Sequence, residues 1–290
     1  MKLSILGARV IDPTSQLDQV TDLHLEAGKI VAIGAAPAGF TPTQTIEAKG
    51  LVAAPGLVDL NVALREPGYS RKGTIASETR AAAAGGVTSL CCPPHTKPVL
   101  DTSAVAELIL DRAREAGNCK VFPIGALSKG LDGEQLAELI ALRDAGCVAF
   151  GNGLNSFSNT RTLCRALEYA ATFDLTVIFH SQDRDLAEGG IAHDGAMAAF
   201  RGLPGIPETA ETVALARDLL LVEQSGVRAH FSQLTSARGV ALIAQAQARG
   251  LKVTADVALY QLILTDEALV DFSSVYHVQP PLRTRADRDG

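Results

Sequence analysis

The stretch Pro55-Gly56-Leu57-Val58-Asp59-Leu60-Asn61-Val62-Ala63-Leu64-Arg65-Glu66-Pro67-Gly68 decides how the chain is read. It is a strand-like run that closes in a Pro-Gly turn. Residues two apart in a strand project to the same face, so positions 61, 63 and 65 share one. Histidines at 61 and 63 would let two imidazoles grip one metal ion from that face. The chain carries Asn61 and Ala63 instead, so the frame of a metal-binding strand is present without its two gripping side chains.

Outward from this strand, apolar runs of strand length recur at 51–64, 87–92, 120–127, 147–150, 175–180, 227–231 and 252–258. Helical stretches lie between them at 103–116, 134–144, 160–173, 208–224 and 236–249, several of them stopping at a glycine (Gly117, Gly146, Gly226, Gly250). Alternating strands and helices imply parallel βαβ units with right-handed crossovers. The expected fold class is therefore α/β, a (β/α)8 TIM-type barrel. Seven strands are readable and the sequence reaches Gly290 before an eighth, so a barrel truncated at its C-terminus is expected over residues 51–290. Residues 1–50 read as a small N-terminal β module, with strands at 4–11, 22–26 and 30–33 and a hairpin turn at Ala27-Gly28-Lys29.

Composition narrows the function classes. The chain has 290 residues, 47% of them hydrophobic, but only 4% aromatic and no Trp, so its core must be built from Ala, Val, Leu and Ile. The net charge of −6 is spread without a basic stripe, which argues against nucleic acid as a partner. No apolar stretch reaches the roughly 18–20 residues of a membrane helix, and the first residues are too quickly polar for a signal peptide. The five cysteines (91, 92, 119, 147, 164) form no Cys-x-x-Cys pair and read as reduced core thiols. A cytoplasmic protein is expected.

In barrels of this kind the chemistry sits at the C-terminal ends of the strands. Those ends carry Asn61, Ala63 and Arg65; Pro93-Pro94-His95-Thr96-Lys97-Pro98; Gly151-Asn152-Gly153; His180; His230; and Ala258-Leu259-Tyr260-Gln261. Four further pieces fall in order along the chain with the run at 55–68. They are Ala81-Ala82-Ala83-Ala84-Gly85-Gly86-Val87-Thr88, Thr96-Lys97-Pro98-Val99-Leu100-Asp101, Gly205-Ile206-Pro207-Glu208 and Pro280-Pro281-Leu282-Arg283. Together these pieces resemble a dihydroorotase of the cyclic amidohydrolase superfamily over nearly the whole length.

The resemblance implies a metal-dependent site that this chain keeps only in part. The His-x-His of the family is Asn61-Val62-Ala63 here, and its acidic or carbamylated-lysine bridge falls near Asn152, with no Asp, Glu or Lys in 147–153. An amide cannot supply the anionic oxygen that a bridged pair of dications needs. The substrate-contacting asparagine after strand two is His95, the Pro-His-His segment reads Ala258-Leu259-Tyr260, and the catalytic aspartate after strand eight has no counterpart before Gly290. What survives is His180 and His230, metal ligands in the family, and Arg65, whose guanidinium would grip a substrate carboxylate.

No catalytic residue and no cofactor are therefore expected, with zinc the candidate should any metal bind. His180 and His230 read either as residual ligands or as histidines hydrogen-bonded in a former pocket. Arg65 and His95 read as vestigial substrate contacts, or as an arginine paired with Glu66 or Asp59 beside a plain loop histidine. His24, His193 and His277 read as surface residues. By the same resemblance the expected role is a non-catalytic subunit that associates with the catalytic chain of aspartate carbamoyltransferase in pyrimidine synthesis, in an oligomer. Two other readings stand beside it. One is an active amidohydrolase with a mononuclear site on His180, His230 and His95; the other is a module that holds an orotate-like carboxylate on Arg65.

Overall fold

The computed structural model describes residues 1–157 and 159–290. It divides into two compact units, Met1–Val58 and Asp59–Gly290. The division falls past the expected 50/51 boundary for a physical reason. The strand Val52–Ala53 pairs with Arg9 and Val10, so the first unit does not end at residue 50.

In the first unit, β1 (Lys2–Asp12) lies between β2 (Leu17–Glu26) and β4 (Gln44–Glu47), with β3 (Lys29–Ile33) beyond β2 and β5 (Val52–Ala53) also on β1. Ala27 and Gly28 both take positive φ (50° and 78°), the turn that matches the twist of a two-residue hairpin. Its small core is Ala8, Val10, Leu23 and Ala48. His24 was expected at the surface; it is instead 4% exposed, on the inward side of β2. Its ring nitrogens meet Ser4 Oγ at 2.9 Å and the Gly34 carbonyl at 3.0 Å, which satisfies a buried imidazole.

In the second unit, one sheet runs in the order β14 (Val253–Ala255), β13 (Arg228–Phe231), β10 (Thr176–Phe179), β9 (Ala149–Gly151), β8 (Lys120–Ala126), β7 (Val87–Cys92) and β6 (Leu57–Asp59), the last spanning the division. Every pairing from β7 to β14 is parallel. This is the wall of a (β/α) barrel, as the alternation of strand and helix required. The crossovers are α1 (Ile75–Ala84), α2 (Ser103–Ala116), α3 (Leu139–Asp144), α4 (Thr160–Thr172), α7 (Glu208–Ser225) and α8 (Ala237–Ala248). Gly117 and Gly226 close α2 and α7 in the left-handed region, where a glycine pays no Cβ penalty. Helix α3 begins later than the pattern over 134–144 suggests. Lys129 N bonds the Gln135 carbonyl and Ala137 N the Leu127 carbonyl, so the segment before it folds back as a loop.

The core between sheet and helices is aliphatic, as composition demanded, and its rings are few: Phe179 and Phe231 stack at 5.1 Å across β10 and β13. Side chains alternate along these strands. Val177, Phe179, Ala229 and Phe231 are buried in this core, which leaves Ile178, His180 and His230 for the opposite face.

One excursion was not legible in the sequence. Between α5 (Arg184–Ala187) and α7, a two-stranded parallel ladder of β11 (Ala192–His193) and β12 (Gly205–Ile206) brackets α6 (Ala196–Arg201). His193, also expected at the surface, is 7% exposed because Arg283 reaches it. The buried Arg283 guanidinium donates to the Ile206 carbonyl (2.8 Å), Thr235 Oγ1 (2.9 Å) and His193 Nδ1 (3.0 Å). Thr235 and Ser236 in turn donate to the buried Glu211 carboxylate. Removing the cation from this network leaves buried acceptors unpaired, so Arg283→Ala should cost roughly 3 kcal/mol of unfolding free energy. Urea denaturation measures it, and a loss under about 1 kcal/mol would contradict the network's role.

Candidate functional site

The carboxyl ends of the strands surround a cavity of about 610 Å³. Asn61, Ala63 and Arg65 reach it from the segment after β6, His95 and Thr96 from the loop after β7, Gly151 and Gly153 from the end of β9, His180 from β10, and Ser232 and Gln233 from β13. Tyr69 and Lys72 complete the rim on the side of Arg65. The structure thus gathers five of the residues singled out in the sequence, Asn61, Ala63, Arg65, His95 and His180. Asn152 and His230 are not among the residues that line it.

Asn152 is turned away from the cavity. It is 5% exposed, and its Oδ1 accepts from Ser128 N (3.1 Å) while its Nδ2 donates to Ser128 Oγ (2.9 Å). Ser128 Oγ also accepts from Gly133 N at 2.9 Å, so the amide anchors the loop after β8. At the strand-four end the cavity is faced by glycines, with no donor side chain. Gly153 has φ +55°, and a Cβ placed there would lie 1.6 Å from the His95 ring. The imidazole packs directly over the glycine.

His95 itself is fixed in one tautomer. Its Nε2 accepts from Leu154 N at 3.1 Å, so the ring proton resides on Nδ1. Burial holds its pKa below the usual imidazole range, which keeps the ring neutral. Nε2 therefore has no lone pair to spare for a metal, and Nδ1–H is a donor.

His230 is engaged on both nitrogens. Nδ1 meets Thr254 Oγ1 at 2.8 Å and Nε2 meets Asp256 Oδ2 at 2.8 Å. Asp256 also accepts from Gln233 N (2.6 Å) and Ser232 Oγ (3.2 Å). Burial would raise this carboxyl, but the bonds from His230 and Gln233 outweigh it and hold its pKa below the usual carboxylate range. Asp256 was missed by the sequence reading, because an acidic residue just past a strand carries no spacing signal by itself.

His180 has neither ring nitrogen in hydrogen-bond geometry, though both are out of reach of solvent. Burial pushes its pKa down and outweighs the Gln182 side-chain amide, whose polar interaction with the ring favours the proton, so the ring is neutral. It also borders a chamber of about 30 Å³ with Asn152, Ser156, Arg217 and Asp218. Asp218 is 2% exposed; it accepts from Ser181 Oγ (3.1 Å) and Arg217 Nη2 (2.8 Å). Burial pushes its carboxyl up to about 6.

Of the two readings of Arg65, as a substrate contact or as the partner of Glu66 or Asp59, the pairing is not made. Glu66 Oε2 accepts from Ile75 N at 2.9 Å, at the start of α1, and Asp59 Oδ1 accepts from Asn61 N at 3.0 Å. Among the described residues the Arg65 guanidinium has no hydrogen-bond or ion-pair partner.

A barrel wall with polar groups gathered at the carboxyl ends of its strands is the arrangement of a (β/α)-barrel protein. An L-hydantoinase (dihydropyrimidinase) from Arthrobacter aurescens superposes with a TM-score of 0.83 at 23% identity, over 99% of this chain and 65% of that one. A D-hydantoinase gives 0.78 at 21% identity, over 100% and 65%. Residues 50–238 match the dihydro-orotase-like family. A dihydroorotase-like protein of Pseudomonas putida is 80% identical over 290 residues, 100% of this chain and 68% of its own length. A dihydroorotase of Syntrophus aciditrophicus is 45% identical over 289 residues, 99% of this chain and 68% of its own. The chain belongs to the dihydroorotase-like family, and it spans about two thirds of the length of these relatives.

The metal that this family implies does not suit the donors present. Of the ligand positions, 61 and 63 offer an amide and a methyl, Asn152 faces Ser128, and His230 is held by Thr254 and Asp256. Only His180 has both nitrogens outside hydrogen-bond geometry, with Gln182 the side chain that acts on its ring. Among the described residues no three of His, Cys, Asp and Glu come together around one point, whereas a catalytic zinc takes three protein ligands.

Two outcomes follow. Gly153→Ala should cost about 3 kcal/mol, from the contact with His95 and the positive φ together. In the His95→Ala background the same change should cost only about 1 kcal/mol, the φ contribution alone. Equal costs in both backgrounds would show that the ring does not press on the glycine. The second concerns Asp218. Its folded pKa of about 6 lies above the ordinary 3.8, so the folded state binds the proton more tightly. Stability should fall as pH rises from about 4 to about 6, by roughly 3 kcal/mol at full ionisation. Asp218→Asn should flatten that slope in urea melts at several pH values, and an unchanged slope would contradict it.

Proposed function

We propose that this dihydroorotase-like chain does not hydrolyse cyclic amides, and that it acts as a structural subunit with the catalytic chain of an aspartate carbamoyltransferase. The observation that supports the first half is the donor set. Metal-assisted hydrolysis depends on lowering the pKa of bound water from 15.7 towards about 7. The positions that would hold the ion carry Asn61, Ala63 and Asn152, the last turned to Ser128, and His230 is given to Asp256. No side chain in the cavity replaces the nucleophile. Ser232 donates to Asp256 and has no histidine in relay to take its proton, and Cys92, buried, has its thiol pushed up to about 12.

The mononuclear alternative loses its third ligand as well as its second, since His95 spends Nε2 on Leu154 N. The partner half of the reading rests on the family resemblance alone. It makes the outer surface of the barrel, and not its cavity, the working part of the chain.

Two readouts on one preparation test the reading. Purified chain should release no carbamoyl aspartate from dihydroorotate above the uncatalysed rate, with or without added zinc. Mixed with the carbamoyltransferase catalytic chain, it should co-elute as one species in size-exclusion chromatography. Turnover abolished by a chelator would overturn the first half, and separate elution at micromolar concentration the second.

A further inference from the structure

The cavity has an electrostatic character that a non-hydrolysing reading does not by itself require. Among the described residues no Asp or Glu lines it, while Arg65 and Lys72 both do. Neither cation has an ion-pair or hydrogen-bond partner for its charged group among the described residues. The one acid in their loop, Glu66, is turned out of the way to cap Ile75 N at 2.9 Å.

One loop carries both cations, and both border the cavity. Tyr69 N donates to the Arg65 carbonyl at 2.8 Å and Lys72 N to the Tyr69 carbonyl at 2.8 Å, so two linked turns space the pair. Lys97 N bonds the Pro67 carbonyl at 3.1 Å, and Gly68 sits so close to Lys97 that a Cβ there would be 2.4 Å from the Lys97 Cβ. Arg65 takes φ +64°, a region that strains a residue with a Cβ. A glycine would relieve that strain, so an arginine there points to a use for its side chain. His95 adds a neutral N–H donor at the cavity wall, its tautomer set by Leu154 N.

We propose that the cavity is a binding site for a small doubly charged oxyanion, a phosphate or phosphoryl group, taken between Arg65 and Lys72 with His95 Nδ1–H as a third donor. Two cations on a lining that carries no acid match a dianion, whereas a single carboxylate leaves one unmatched. The proposal rests on the reading that no metal is held between His180 and His230, since a dication there would change the charge balance of the cavity.

The test is isothermal titration of chelator-washed protein with inorganic phosphate, with glycerol phosphate and with orotate. Saturable binding of the two phosphates is expected, weakened roughly ten-fold or more by Arg65→Gln and by Lys72→Gln and unchanged by Arg112→Gln, a surface control. Arg65 and Lys72 are exposed, and thermal melts of both variants should match the parent. Absence of saturable phosphate binding, or equal affinity in the variants, would sink the proposal. Binding of orotate without phosphate would replace it by a monocarboxylate site. The same titration after adding zinc separates the two readings. Phosphate binding that appears only with zinc overturns the metal-free site, while a zinc-free protein that ignores phosphate overturns the oxyanion site alone.

Discussion

The pleat of a parallel strand is the constraint on which the site depends. Because alternate side chains face opposite ways, the residues that pack the helices and those that line the cavity are interleaved on the same strands. Val177 is buried under the helices while Ile178 and His180 face the cavity, Phe179 belongs to the core and also borders the cavity, and Ala229 and Phe231 are buried on either side of His230. The barrel wall can keep its core set intact while its chemistry-bearing set changes completely. Asn61 and Ala63 at the end of the first wall strand are therefore compatible with the fold.

What fills the site is a set of internal partnerships. Asp256 takes His230, Ser128 takes Asn152, and the His95 ring occupies the space that Gly153 leaves open. Each satisfies a polar group that would be costly to bury alone, and each removes a donor from any metal. His180 is the exception, with two buried nitrogens outside hydrogen-bond geometry. The positive side of the cavity has no such internal partner. Arg65 and Lys72 remain available there because the acid nearest them in sequence is committed to a helix start.

Much of the barrel was legible because its signals are periodic. All seven wall strands lie where the apolar runs placed them, since buried parallel strands are continuous apolar stretches bounded by turns. The small ladder around α6, the late start of α3 and the burial of His24 and His193 were not legible. Each depends on a partner distant in sequence: Arg283 for His193, Gly34 and Ser4 for His24. The site was half legible for the same reason. Asn61, Ala63 and Arg65 share a face by strand geometry alone. The turn of Asn152 towards Ser128, the capture of His230 by Asp256 and the freedom of Arg65 come from pairings that spacing cannot reveal.

The central claim is that these residues no longer hold a metal. Zinc content of the purified, chelator-washed chain, measured by plasma mass spectrometry, tests it most directly. Well under a tenth of an ion per chain is the expected result. One zinc per chain would contradict it, because His180 would then have found ligands that the arrangement described above does not supply.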